Sequence, residues 1–102
     1  MHAEVQNLFI RIHMLYLAQQ EDLTVRDVLP ALESRGYRVG EREVKQELEH
    51  LTQENFLTAH DDQFSVTGTG IEEFKEIQAM LSSLCGEVVE PSRAKQMSGA
   101  TS

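Results

Sequence analysis

The hydrophobic positions of the 102-residue chain follow a helical period in four stretches, and a period of two in a pair of short runs before the last of them. Apolar residues three and four positions apart form one face of an α helix, whereas alternation is typical of a half-buried strand. The pattern predicts helices over 4–20, from Thr24 or Asp27 to Gly36, over 41–54 and from Thr69 to Gly86, and strands over 56–60 and 63–67. The predicted fold class is therefore mainly α with a small β-hairpin (α+β).

The second predicted helix has two possible starts. Thr24 can cap the helix by accepting a hydrogen bond from the amide of Asp27, but Pro30 then lies six residues in, where it removes a helical hydrogen bond. If the helix begins at Asp27 instead, Pro30 falls in the first turn, where a proline is well tolerated. The sequence leaves both starts open.

The first helix carries two apolar stripes on roughly opposite sides. One stripe is formed by Val5, Leu8, Phe9, Ile12, Leu15 and Tyr16, and the other by Ile10, Met14 and Leu17. We expect the first stripe to face the core of the domain, so that the second needs the carboxy-terminal helix or another subunit to cover it. The predicted homodimer interface combines this second stripe with apolar residues of the last helix and comprises Ile10, Met14, Leu17, Met80, Leu81 and Leu84.

Helix 41–54 has one narrow apolar stripe, formed by Val44, Leu48 and Leu51. The side chains that project within about 40° of the opposite direction are Arg42, Gln46, Glu49 and Gln53. Arginine, lysine and glutamine are suited to the base edges and phosphates of DNA. The candidate DNA-binding residues of this region are Arg35, Arg38, Arg42, Lys45, Gln46 and Gln53.

The net charge of the chain opposes binding to a polyanion, but the distribution of its basic residues opposes such binding less. The net charge is −8, yet five of the nine basic residues fall within residues 23–54. The hairpin and the last helix are acidic, and Asp61 and Asp62 occupy the predicted hairpin tip.

Other chemistry is not indicated. The sequence has no phosphate-binding glycine loop, nucleophile elbow or metal-ligand spacing, so we predict neither an enzyme nor a metal or cofactor site. It also lacks a long apolar run and an amino-terminal signal pattern, from which we expect a cytoplasmic protein that does not enter a membrane. Residues 1–85 are predicted to form one domain, and 86–102 a flexible tail.

Two motifs carry a family resemblance. Residues 48–57, LEHLTQENFL, and residues 64–70, FSVTGTG, are similar to the passages that lead into and out of the wing in winged-helix DNA-binding domains. The chain resembles in particular the small dimeric bacterial regulators of the PadR-like and MarR-like kind, over about residues 5–84. The resemblance implies a winged helix-turn-helix whose terminal helices form the dimer.

By the same resemblance, helix 41–54 enters the DNA major groove, where Arg42, Lys45 and Gln46 take the base-reading role. The wing is then expected to touch the DNA backbone or minor groove. Members of the family often carry arginine or lysine near the wing tip, whereas this chain has Asp61 and Asp62 there.

Two functions fit these observations. The first is a transcriptional regulator that binds double-stranded DNA as a homodimer, with two recognition helices in successive major grooves. The alternative is a winged helix that contacts a protein partner and does not bind DNA, because a fold does not fix a function. The acidic surface and acidic wing favour the alternative, and the family resemblance favours the first.

Overall fold

The computed structural model describes residues 2–89, which fold into four α helices and one β-hairpin. In chain order these elements are α1 (Ala3–Ala18), α2 (Val25–Glu33), α3 (Glu41–Gln53), β1 (Leu57–His60), β2 (Gln63–Val66) and α4 (Gly68–Leu84). Helix α1 contacts α2, α3, α4 and β2, so it lies at the centre of the packing. The predicted α+β class is confirmed, and the order of helices and hairpin is that of a winged helix-turn-helix.

One hydrophobic core joins all of these elements. Its buried side chains include Ile10, Met14, Leu15, Leu23, Val28, Leu32, Val44, Leu48, Leu51, Leu57, Phe64 and Phe74. The three apolar residues of α3 are each no more than 1% exposed, which confirms the stripe predicted from their spacing. Burial of a leucine-sized side chain contributes about 2 kcal/mol, so this cluster is the main force that holds α3 and the hairpin against α1.

The stripe of α1 that was predicted to meet a partner faces the core instead, and of the other stripe only Leu15 is fully buried. Ile10 and Met14 are 2% and 0% exposed within the single chain, and Leu17 packs partly against the same core. The prediction that Ile10 and Met14 belong to a dimer interface is therefore wrong, because they have no surface left for a partner. The residues of the other stripe that are exposed instead are Val5, Leu8, Phe9 and Tyr16.

Periodicity detects both stripes of α1 but does not decide which one meets the core. In the structure Ala18 extends the stripe of Ile10 and Met14 at four-residue spacing and is itself buried. The stripe that faces the core is therefore the one that ends in a small residue, close to the chain reversal after α1.

Helix α2 begins after Thr24. The Oγ1 atom of Thr24 accepts a hydrogen bond from the amide of Asp27 at 3.2 Å, and Pro30 consequently lies inside the helix, on its exposed side. Because proline has no N–H group, the carbonyl of Arg26 has no partner within the helix, and its place on the surface allows water to serve instead. Of the two starts that the sequence left open, the structure has the one at Thr24.

The turns that follow α2 and α3 are built alike. Gly36 (φ 91°) and Asn55 (φ 68°) adopt the left-handed conformation just beyond the helix ends. In each turn the next amide donates to the carbonyl five residues earlier, at 3.2 Å from Tyr37 and at 2.9 Å from Phe56. These Schellman-type ends direct the chain from α2 into α3, and from α3 into the wing.

The wing is a short antiparallel hairpin. Its register runs from Leu57 opposite Val66 to His60 opposite Gln63, with a two-residue turn in which Asp61 has φ 58°. Close to its tip the wing is bonded to the segment before α2. Two backbone hydrogen bonds of 2.8 Å join Leu23 and Phe64, so β2 is paired on both of its edges at this point.

Helix α4 begins earlier than predicted. Its cap is Thr67, whose Oγ1 atom accepts from the amide of Gly70 at 2.9 Å and donates to the carbonyl of Asn55 at 2.6 Å. The predicted start at Thr69 is therefore wrong, because Thr67 already caps the helix and also bonds it to the end of α3.

Helix α4 ends at Leu84, two residues before the predicted end, but the helical path of the chain continues past Gly86. Beyond Leu84 the chain continues as a π-helical segment, Cys85–Val89, and Gly86 does not adopt the left-handed conformation that Gly36 has after α2. The first residues of the predicted tail (86–102) are thus helical, and residues 90–102 lie outside the described part of the chain.

Candidate nucleic-acid interface

Helix α3 presents a polar face that points away from the core. Arg42, Gln46 and Gln53 are exposed on this face, as their projection predicted, and Glu49 is exposed beside them. Among residues 2–89, Arg42 takes part in no ion pair. The outward face thus offers one guanidinium and two amide groups, which are the groups that donate to base edges in the major groove.

One flank of α3, which we call the α1-side flank, faces α1 and carries Glu47, His50 and Glu54. Arg11 of α1 donates from Nε to Glu47 at 3.3 Å, and its guanidinium lies 3.7 Å from the carboxylate of Glu54. His50 contacts the same Glu54 carboxylate through Nε2. Glu47 of α3 and Glu54 just after it therefore share one positive charge supplied by the fold.

Sequence reasoning did not identify Arg11. It is the only arginine or lysine of α1, and its partner Glu47 lies 36 residues further along the chain. A single basic residue on an otherwise apolar helix signals that a partner exists, but only the packing of α1 on α3 determines which carboxylates meet it.

The other flank of α3 faces the wing across an open concavity of about 670 Å³, which we call the wing-side groove. It is lined by Val25, Glu41, Lys45, Glu49, Thr52, Gln53, Ala59, Asp61, Asp62 and Phe64. A neighbouring concavity of about 590 Å³ shares Val25, Glu41 and Asp62 with it and continues along the start of α2. Lys45 and Gln53, two of the predicted DNA contacts, lie in this groove.

The wing-side groove is acidic. Four carboxylates line it, those of Glu41, Glu49, Asp61 and Asp62, against the single ammonium group of Lys45. In the described part of the chain, none of these four acids forms an ion pair. Carboxylates repel DNA phosphates, so the charge of the groove opposes the wing contact that the family resemblance implies.

Arg35 and Arg38 lie apart from the outward face of α3. Arg35 donates from Nη1 to the carbonyl of Ala31 at 2.8 Å and so caps the end of α2. The backbone of Arg38 is hydrogen-bonded to the side chain of Gln6 in α1, and the residue lines a concavity formed with the first residues of α1. The six candidate DNA-binding residues therefore form two groups, four on α3 and two at the turn that precedes it.

A second contact joins α1 to the helix-turn-helix. Nδ1 of His13 lies 2.6 Å from the hydroxyl of Tyr37, and the two rings meet edge to face. Burial lowers the pKa of His13 below its ordinary value of 6.5, the charge of Arg35 lowers this pKa further, and a hydrogen bond with the carbonyl of Phe9 opposes the shift. Burial also raises the pKa of Tyr37. The pair is thus held in its uncharged form at neutral pH.

The predicted dimer residues of α4 lie on its surface to different degrees. Met80 and Leu84 are 72% and 52% exposed, whereas Leu81 is half-buried. Helix α4 packs on α1 through Tyr16 and Phe74, whose ring centroids are 6.3 Å apart. Both terminal helices therefore keep large apolar side chains in contact with solvent in the single chain.

Within residues 2–89 neither a metal-binding cluster nor a membrane-spanning helix is present. No group of three or more histidine, cysteine, aspartate or glutamate residues there is arranged to hold a metal ion. Within the same residues, none of the helices has the length and hydropathy needed to cross a bilayer.

The fold is similar to that of a solved transcriptional regulator from Clostridium thermocellum. The TM-score is 0.68 at 13% sequence identity, and the match covers 89% of this chain and 96% of that one. No protein-family model matches the sequence, and no curated protein matches it either. At this identity the likeness shows the fold, a winged helix-turn-helix of the kind found in a regulator.

Proposed function

We propose that this protein is a transcriptional regulator that binds double-stranded DNA as a homodimer, with α3 in the major groove. The observation that carries the proposal is the outward face of α3, where Arg42, Gln46 and Gln53 are exposed next to one another. The PadR-like and MarR-like regulators that the two wing motifs resemble use the same helix for base reading.

The contacts of Arg11 support the proposal. They offset about half of the charge of Glu47 and Glu54, two acids that add to the negative field around α3. The charged groups on the outward face itself are Arg42 and Glu49, whose charges cancel. The local charge of the reading surface is therefore much less negative than the net charge of the chain.

The homodimer part of the proposal rests on the exposed apolar residues of the terminal helices. Leu8 and Phe9 on α1 and Met80 and Leu84 on α4 replace the buried residues Ile10 and Met14 as the proposed contacts. Exposed apolar surface of this kind commonly marks a protein interface, and a two-fold dimer would present two copies of α3 to successive turns of the duplex.

The test is the binding of a fluorescein-labelled mixed-sequence duplex, followed by anisotropy from low to high salt. We expect binding at low salt that weakens linearly on a plot of log affinity against log salt, because phosphate contacts release counterions. Arg42→Gln should weaken binding about tenfold or more, since it removes a contact to a base edge or phosphate. Lys75→Gln on α4 removes the same charge far from α3 and should leave the affinity within about twofold.

Absence of binding at low salt would refute the proposed function, as would equal losses for the Arg42 and Lys75 variants. Sedimentation of the complex then tests the dimer. Two chains per duplex site are expected, and one chain per site would refute the homodimer while leaving DNA binding intact.

A further inference from the structure

We propose that the wing-side groove binds a basic peptide segment of another protein, with lysine or arginine side chains against its rim and an apolar side chain on its floor. This site borders the outward face of α3 at Glu49 and Gln53 but does not include Arg42 or Gln46, and the inference does not depend on DNA binding.

The floor of the groove is apolar and shallow. Ala59 and Phe64 are opposite each other in the hairpin register, so both side chains point from the wing toward α3, and Val25 adds the third apolar wall. Because Ala59 is small and exposed, it leaves room above Phe64 for an incoming side chain. Apolar floors with a few polar groups at their edges are typical of sites that accept a ligand side chain.

The two glutamates on the α3 rim of the groove are about as far apart as positions i and i+4 of an extended peptide. Glu41 and Glu49 lie eight residues apart on one helix face, a separation of about 12 Å. Alternate side chains of an extended strand point the same way about 6.6 Å apart, so positions i and i+4 of a bound segment span about 13 Å. Two basic residues four positions apart thus match the two glutamates of α3.

The opposite rim is formed by the wing tip, where Asp61 and Asp62 are both exposed. A segment lying between α3 and the wing would therefore have carboxylates on both sides. The groove carries four carboxylates against one ammonium group, and this balance attracts a cationic segment and disfavours the phosphates of DNA.

The carboxylates of the groove are open to ion pairing with an incoming cationic group. The acids on the α1-side flank already have Arg11 and His50 as partners, whereas those of the groove have none within residues 2–89. The groove and the concavity that adjoins it have volumes of about 670 and 590 Å³. Together they provide room for several residues of an extended segment.

The experiment uses the full chain and a fluorescein-labelled heptapeptide, Lys-Leu-Lys-Val-Lys-Leu-Lys, as the probe. Saturable binding is expected by anisotropy, and the backbone amides of Val25, Glu49, Ala59 and Phe64 should shift in nitrogen-15 correlation spectra. The double variant Asp61→Asn with Asp62→Asn should bind about fivefold more weakly, because it removes two rim charges. Asparagine tolerates the positive φ of Asp61, so the hairpin turn is retained.

A matched double variant, Glu76→Gln with Glu87→Gln, removes two exposed acids of α4 and the following segment, and should bind the peptide as the wild type does. An equal loss in this variant would reduce the binding to attraction by the net charge and overturn the proposal. Absence of saturation, or amide shifts confined to α1 and α4, would also overturn it, as would a duplex that shifts the groove amides when the peptide does not.

The peptide-site proposal and the DNA-binding proposal can be refuted independently of each other. Arg42→Gln should leave peptide affinity unchanged, since Arg42 does not line the groove. A chain that binds the heptapeptide but no duplex would refute only the DNA-binding proposal.

Discussion

The two flanks of α3 each carry acidic residues, and they differ in what lies opposite. On the α1-side flank, Glu47 and Glu54 meet the guanidinium of Arg11. On the wing side, Glu41 and Glu49 face an open groove whose far rim is also acidic. The charge that a recognition helix presents is therefore set by the elements packed beside it, and the composition of the helix alone does not define it.

The two flanks of α3 differ because different elements pack beside them. Helix α1 contacts α3 on this flank, where the Glu47 side chain is only 18% exposed. The wing contacts α3 through β1, near Leu57, while its tip stands away from the helix. One flank is consequently a closed interface and the other a concavity.

The largest expected effect comes from breaking the junction that positions the wing. Gly70 is buried, and a Cβ atom at this position would collide with the carbonyl oxygen of Phe56 and lie 2.9 Å from the Val66 side chain. Gly70→Ala should therefore destabilise the fold by about 3 kcal/mol, as overpacking against fixed backbone does. Urea unfolding followed by circular dichroism measures the loss.

Gly68 provides the control for this prediction. A Cβ atom at Gly68 has no neighbour within 4 Å, so Gly68→Ala should change stability by less than about 1 kcal/mol. If the two alanine variants were equally stable, the wing would not depend on the close approach of Gly70 to Phe56, and the groove would have another support.

A smaller effect is expected from a direct comparison of the two flanks. Arg11→Met removes the partner of two carboxylates but keeps an apolar stem, and it should destabilise the fold by about 1 kcal/mol at low salt. Lys45→Met on the wing side removes the same charge from a residue with no ion pair among residues 2–89. It should cost less than about 0.5 kcal/mol in urea unfolding.

The dependence of stability on ionic strength should distinguish these two variants further. At high ionic strength the difference between Arg11→Met and the wild type should shrink, because exposed and half-exposed ion pairs are screened. A double-mutant cycle with Glu47→Gln isolates the pair itself. Equal losses at Arg11 and Lys45 would contradict the contrast between a paired and an unpaired flank.

Local patterns were sufficient to predict most of the fold. The spacing of Val44, Leu48 and Leu51 placed the buried side of α3 and, by projection, its outward face with Arg42 and Gln46. The alternating runs located the hairpin. These features depend on residues within a few positions of one another, which is the range over which helical and strand periods act.

Features that depend on distant residues could not be predicted in the same way. Whether Ile10 or Leu8 faces the core depends on which elements pack on α1, since both belong to regular apolar stripes. The contact of Arg11 with Glu47 and the open groove beside Glu49 likewise arise from tertiary packing. The capping residue of α4 was misplaced because Thr67 and Thr69 both fit a local cap, and only the bond from Thr67 to Asn55 separates them.

The smallest expected effect concerns pH at the contact of His13 with Tyr37, the second point where α1 holds the helix-turn-helix. Burial and Arg35 lower the folded-state pKa of His13, so the unfolded chain, with an ordinary pKa of 6.5, binds more protons as the pH falls below that value. Stability should therefore decrease from about pH 7 to pH 5.5, and His13→Gln should flatten this decrease in urea unfolding. Tyr37→Phe keeps the burial and Arg35, and should lower stability while retaining the slope. A His13→Gln variant with the same slope as the wild type would show that the imidazole is not held uncharged in the folded chain.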